Sequence, residues 1–205
     1  MDGERVLELL RKSEALLEGH FELSSGKHSD RYFQCAKVLQ YPEYAQELAS
    51  GLKADLEALS EPIQVVVGPA MGAVVWSYAV AQELGVRSLF TERKDGGMVL
   101  RRGFSLEPGE RILVVEDALT TGGSAREAIK ALEAAGGHVV AVGSVVNRSG
   151  GNPFEQAGNG LKEALPLFAL CNVKAETWEA SECPLCKAGG QAIKPGSRPG
   201  VSANV

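Results

Sequence analysis

Residues 111–126 read RILVVEDALTTGGSAR, and the order of residue types along them decides the fold. An apolar run at 112–115 follows the breaker Pro108-Gly109, as expected of a strand buried on both faces of a parallel sheet. Two adjacent acids, Glu116 and Asp117, then mark the strand's carboxyl end. After them comes a loop of small and hydroxylated residues, Thr120-Thr121-Gly122-Gly123-Ser124, and a helical pattern over 125–135. Strand, glycine-bearing loop and helix start together make an anion site, because backbone N–H groups and the positive end of the helix dipole converge there. The loop suits a phosphate monoester. The paired acids, which repel each other without a ligand, suit sugar hydroxyls or a divalent cation. No Gly-Lys-Ser/Thr follows, so this is not a Walker A loop, and it is not GxGxxG. An ordinary strand-to-helix turn capped by Thr121 or Ser124 is the plainer reading.

The flanking chain repeats the same alternation. A strand at 63–67 leads through Gly68-Pro69-Ala70-Met71-Gly72 into a helix at 73–84, and small residues at that turn allow close approach of backbone to a ligand. Strands are expected at 86–90, 139–146 and 165–173, the last at an edge. Pro42 opens a helix running to about Leu59. Near the N-terminus, Val6, Leu9, Leu10, Leu16 and Leu17 form an apolar stripe, so 5–18 read as a helix stopped by Gly19. Segment 28–33 is extended; it is either a surface hairpin or a platform on which Tyr32 and Phe33 stack against a planar ring, with Lys27, His28 and Arg31 nearby as cations. Residues 91–105 read as a glycine-rich cationic hairpin, either a solvated surface arm or a mobile lid over a polyanion. Strands alternating with helices give an α/β, doubly wound parallel sheet. Three parts are expected: an N-terminal helix and hood at 1–40, the α/β core at 41–175, and a Cys-containing, partly flexible extension at 176–205.

The bulk properties bound the partners. At 205 residues the chain can bury a full core. Its net charge of −5 argues against nucleic acid or a membrane surface as main partner. No apolar run approaches a bilayer span, and the charged N-terminus is not a signal peptide, so a cytoplasmic address is expected. Cys183 and Cys186 have CxxC spacing and Cys171 precedes them by twelve residues. Three readings stay open: a structural Zn²⁺ completed by a remote His or by a second subunit, a disulfide, or free thiols.

The two acids and the Thr/Gly/Ser loop closely resemble the PRPP-binding motif of type I phosphoribosyltransferases. The N-terminal stretch GHFELSSGKHSDRYFQ resembles more narrowly the orotate phosphoribosyltransferase family, and the CPLCKAG segment is similar to the C-terminal extension of its thermophile-type branch. The resemblance implies a type I phosphoribosyltransferase-like fold, Mg²⁺ held by PRPP rather than by protein side chains, and a homodimer whose catalytic loop reaches into the neighbouring site. It implies PRPP contacts from Glu116, Asp117, Ala118, Leu119, Thr120, Thr121, Gly122, Gly123 and Ser124, and pyrophosphate contacts from Ala70, Met71 and Gly72. Arg93 and Lys94 match the start of the catalytic loop and, with Asp117, would be the catalytic residues. Orotate would meet Tyr32, Phe33 and Thr120, and pair through its carboxylate with Arg148. The chain departs from the family pattern at Ser24 and Gly72, each commonly Lys, and in the loop after Lys94, where another Lys and a His are usual. Arg101 and Arg102 are candidates to replace that charge. A purine-base phosphoribosyltransferase and a non-catalytic PRPP- or nucleotide-sensing regulator are the alternatives on the same fold. Arg148 speaks against the first and the acidic net charge against the second.

Overall fold

The computed structural model describes residues 1–23 and 25–195. The expectations for Ser24 and for the end of the tail, 196–205, lie outside the described residues.

Two sheets organise the chain. Helix α1 (Gly3–Lys12) is followed by β1 (Leu16–Glu22) and β2 (His28–Phe33), then by α2 (Ala36–Leu39) and α3 (Pro42–Leu56). The core continues as β3 (Val65–Pro69), α4 (Ala73–Leu84), β4 (Arg87–Lys94), β5 (Gly97–Leu100), β6 (Arg111–Leu119), α5 (Gly123–Ala134), β7 (His138–Asn147) and β8 (Leu167–Asn172). A two-residue strand β9 (Thr177–Trp178) and a short turn of helix α6 (Pro184–Lys187) close the described chain. The main sheet has the order β5-β4-β3-β6-β7-β8 and is parallel except for β5. The hood is a separate antiparallel sheet, β1-β2-β9.

Alternation along the strands explains why the main sheet is covered on both faces. Val66, Leu113, Val115 and Val145 project into a core under α1, α3 and α4, together with Trp76 and Leu52. Their neighbours Val65, Val67, Ile112 and Val114 project the other way, onto Ile129 and Leu132 of α5. Both sets are fully buried, which is why these strands read as continuous apolar runs. From β3 the chain steps outward through α4 to β4, and later returns on β3's other side as β6. Strand order therefore reverses between β3 and β6, and a crevice opens beyond their carboxyl ends.

The N-terminal helix is shorter than its apolar stripe predicts. It ends at Lys12: the Ser13 hydroxyl donates to the Leu9 carbonyl at 2.8 Å, Glu14 takes a left-handed φ of 54°, and the Ala15 N–H donates to the Leu10 carbonyl at 2.7 Å. That reversal turns Leu16 into the first residue of β1, buried in the same core as Leu9 and Leu10. Helical and extended spacing coincide for these leucines, and the turn decides between them.

Close packing of α4 on β3 depends on Gly68. A Cβ at this position would lie 2.4 Å from the main-chain oxygen of Ala73, which cannot swing aside as a side chain would. Gly68→Ala is expected to destabilise by about 2 kcal/mol or more, read as a lower urea midpoint at unchanged slope.

Candidate active site

The crevice is floored by the segment that joins β6 to α5. Gly122 caps the helix with φ 75°, a conformation that suits glycine, and a Cβ there would come within 2.9 Å of the Phe154 ring. Behind the loop, the Arg126 guanidinium donates to the Pro153 carbonyl and lies over the Phe154 ring at 5.4 Å. The loop is thus held from behind and open in front. A cleft of about 420 Å³ runs from Glu116 and Asp117 along 118–124, with Arg93 and Glu127 on its far wall.

Glu116 and Asp117 lie within β6 rather than after it, half-buried side by side. Among the described residues neither forms an ion pair with a lysine or arginine. Burial first, and the neighbouring Asp117 charge second, push the Glu116 carboxyl up to about 8. Asp117 is also raised by burial, against the pull of the Ala118 N–H, which donates to its Oδ1 at 2.9 Å. Cys35 lies against this strand and donates its thiol to the Asp117 carbonyl at 3.5 Å. Burial, then the Asp117 charge, hold that thiol well above its usual range, so it serves packing rather than nucleophilic attack.

Gly72 is brought against the same carboxylate: a Cβ there would lie 2.9 Å from Asp117 Oδ1. The Ala70–Met71 peptide is cis, and the Ala70 N–H donates to the Thr91 carbonyl at 2.7 Å. Met71 points away, 85% exposed.

A second cavity, of about 540 Å³, meets the first at Thr120 and Thr121. Its walls are Arg148 and Ser149 at the end of β7, Tyr32 of the hood, and Ser25, Lys27 and Thr177 above. The Arg148 main chain is fixed by its N–H donating to the Leu119 carbonyl at 2.7 Å, and its guanidinium lies 5.1 Å over the Phe33 ring. Its Nε is buried without a partner among the described residues, and burial lowers the guanidinium's pKa. A buried guanidinium nitrogen with no acceptor is costly, and this one belongs to a residue on the cavity wall.

The expected aromatic pair is split. Tyr32 lines the cavity, whereas Phe33 is buried in the core beneath Arg148. The reason is strand geometry: successive residues of β2 point to opposite faces, and the face of Phe33 is the one turned to the core. The expected hairpin forms from β4 and β5. Its Arg93 lines the phosphate-side cleft and pairs with Glu127 at 2.8 Å. Lys94 sits beside the exposed Asp95 at the tip, 4.0 Å away, and does not line the cleft. Arg101 and Arg102 both pair with Glu92, at 3.5 and 3.1 Å, so the structure gives them to the base of the hairpin rather than to the cleft. Cys171 is in β8, opposite Val146 and buried in the core under α1, away from Cys183 and Cys186. Its strand placement rules out the third-ligand position proposed from spacing. None of the four cysteines forms a disulfide.

This arrangement agrees with what the chain is similar to. A phosphoribosyl transferase domain model matches residues 37–159. An orotate phosphoribosyltransferase of Desulforamulus reducens is 51% identical over 198 residues, 97% of this chain and 98% of that one. The chain belongs to the orotate phosphoribosyltransferase family. The enzyme of that name from Acidithiobacillus ferrooxidans is 52% identical over 200 residues, with 97% and 98% of the two chains covered. A crystal structure of the Mycobacterium tuberculosis orotate phosphoribosyltransferase superposes with a TM-score of 0.66 at 26% identity, covering 84% of this chain and 97% of the other. The phosphoribosyltransferase fold read from the β6 motif is thereby established, and the purine-base and regulatory alternatives lose their ground.

Sequence reasoning missed Thr177 and Glu127. Thr177 reaches the cavity from β9, paired to Ser29 of the hood, and a two-residue strand so distant in sequence carries no periodic signal. Glu127 was legible in principle as an acid one turn into α5, facing the loop.

The raised Glu116 carboxyl sets a pH dependence. Below about 4.5 the group is protonated in both folded and unfolded chains and contributes its full stability. Between there and about 8 the unfolded chain has lost a proton that the folded one keeps, so stability falls as pH rises through that window. The total is on the order of a few kcal/mol. Urea unfolding across the window should show this decline, and Glu116→Gln should flatten it in part, since Asp117 is raised as well.

Proposed function

We propose that the chain catalyses transfer of the 5-phosphoribosyl group of PRPP to orotate, giving orotidine 5′-monophosphate and pyrophosphate, a step of UMP synthesis. The observation that carries this reading is the junction at Thr120 and Thr121. On one side lies a phosphate-type loop with a carboxylate pair; on the other lies a cavity with a buried, unpartnered arginine nitrogen.

The roles follow from the chemistry of each part. The loop 120–124 receives the 5′-phosphate on backbone N–H groups and hydroxyls. Glu116 and Asp117 accept from the ribose hydroxyls, and the donated hydrogen bonds favour ionisation of carboxyls whose pKa burial raises. Orotate's carboxylate pairs with Arg148 in the planar, two-pronged manner that a lysine cannot reproduce, while Tyr32 covers the ring. The bond between ribose C1 and the pyrophosphate oxygen breaks, the bond from C1 to the base nitrogen forms, and the proton of that nitrogen is released. Charge builds up positive on the ribose and negative on the leaving group. Arg93, a wall residue of the cleft, would meet the latter, and the main chain at 70–72, whose Gly72 lies against Asp117, would line the leaving-group side. The buried acid pair, without an ion-pair partner among the described residues, fits a diol carried beside a cation. Mg²⁺, bound through PRPP, would neutralise pyrophosphate charge. No side-chain nucleophile is required.

A homodimer belongs to this proposal. Met71, Val75 and Tyr78 are 85%, 52% and 64% exposed, and their spacing puts them on one face of α4 and its lead-in. Such an apolar stripe suits an interface. Lys94, at the solvent-facing tip of its hairpin, would serve the cleft of the second copy.

Purified protein with PRPP and Mg²⁺ should consume orotate, with hypoxanthine, xanthine and uracil left unchanged in parallel assays. Arg148→Ala is expected to lower kcat/KM for orotate by about a hundredfold or more with PRPP affinity little affected. Equal turnover of orotate by wild type and variant would sink the carboxylate pairing. Tyr78→Glu should shift the species seen by light scattering from dimer to monomer; a monomeric wild type would refute the α4 interface.

A further inference from the structure

The extension that follows β8 is held in place with almost no apolar burial. From 174 to 195, Cys183 alone is buried; it is fully so, yet forms no disulfide. A segment of this length loses too much conformational entropy on ordering to be fixed by one small side chain. Its main chain nevertheless follows a defined course. Ile193 exchanges hydrogen bonds with the hood at both ends, its N–H donating to the His20 carbonyl and its carbonyl accepting from Glu22, each at 2.8 Å. The pairing of β9 with β2 and the exposed Lys27–Glu179 and Lys194–Glu22 ion pairs add surface contacts, each worth little in solvent, and a buried interaction joins them.

That interaction is visible in the side chains. Cys183 caps α6 and Cys186 lies within it; both face His20 of β1 and His28 of β2, so that one ligand atom from each of the four lies within 4.8 Å of the others. His20 Nε2 stands 2.9 Å from His28 Nδ1, 3.4 Å from Cys183 Sγ and 3.6 Å from Cys186 Sγ, and Cys186 Sγ is 3.3 Å from His28 Nδ1. One imidazole nitrogen offers a single in-plane lone pair or a single N–H, and it cannot serve three partners as a hydrogen-bonding group. A cation at their centre can. With Zn–N near 2.0–2.1 Å and Zn–S near 2.3 Å, tetrahedral edges are about 3.3 Å for N···N and about 3.6 Å for N···S. The observed separations are already close to these.

We propose that His20, His28, Cys183 and Cys186 form a structural Zn²⁺ site that fastens the C-terminal extension to the hood. Two thiols ionise on binding and release their protons to solvent, and the two thiolates balance the charge of the ion. Two nitrogens and two sulfurs in a tetrahedron select zinc among the common divalent metals. All four positions are filled by protein, so the ion is structural and offers no site for water activation. The two remote ligands are histidines of the hood hairpin; Cys171 has no part. The inference stands on these four residues alone and does not depend on the identity of the base bound at Arg148.

The test is metal content and ligand-field spectroscopy on the full-length protein. Wild type from zinc-supplemented cultures should carry about one zinc per chain after dialysis, with a lower Tm once a strong chelator removes it. Titrating the stripped protein with Co²⁺ should give the intense visible bands of a tetrahedral ion and the charge-transfer absorption of thiolate ligands. Cys186→Ser and His28→Gln should lose the metal, while Cys171→Ala keeps it. A wild type with less than about a tenth of a zinc per chain that gives only the weak spectrum of octahedral Co²⁺ would overturn the proposal. So would a native Cys183–Cys186 disulfide in the mass spectrum, or loss of zinc in Cys171→Ala with retention in Cys186→Ser. The Co²⁺ titration of stripped wild type decides the matter even where a substituted chain fails to fold.

Discussion

Two adjacent carboxylates on a half-buried strand repel each other and shed hydration, and the rest of the structure is arranged around that cost. β6 carries Glu116 and Asp117 past the point where its apolar residues end, still hydrogen-bonded to β7 through Ala118 and Leu119. The strand is held on both sides by neighbours and on both faces by helices, so the pair cannot retreat into water. Burial keeps both acids above the usual carboxylate range. Protonation of Glu116 relieves part of the repulsion, and a ligand that brought donors or positive charge to the pair would favour the ionised form instead.

What the sequence disclosed and what it hid divide along a physical line. Alternating valines and leucines, the Pro-Gly breaker before β6 and the glycines after β3 and β6 are local signals. They gave the order of the core, its parallel sheet and the strand–loop–helix turn at 119–124. Residues whose partners are distant in the chain were less legible. The helix expected to reach Gly19 stops at Lys12 because of a left-handed Glu14, which no apolar stripe records. Tyr32 and Phe33 looked like one platform, and the pleat of β2 assigns them to opposite sides. Arg101 and Arg102 looked like spare charge for the cleft, and Glu92, across the hairpin, takes both.

The hood shows how a small sheet can be positioned by non-apolar means. It shares Phe33 and Leu16 with the main core, and Arg148 lies across the Phe33 ring, so the wall of the base cavity and the floor of the hood are in contact. On its outer side the hood meets an extension with little apolar surface to contribute. Histidines on the hairpin and cysteines on the extension come together only in the folded chain, which is why CxxC spacing by itself left the fourth ligand open.

Gly72 has a consequence for how related sequences can differ. Any side chain at this position begins with a Cβ that would lie 2.9 Å from an oxygen of Asp117. Position 72 and the present rotamer of Asp117 are therefore mutually exclusive with respect to substitution. A side chain placed here would require the Asp117 carboxylate to turn to another rotamer. The two sites, 45 positions apart in the chain, are thus coupled through one rotamer: what stands at 72 decides where the Asp117 carboxylate can point.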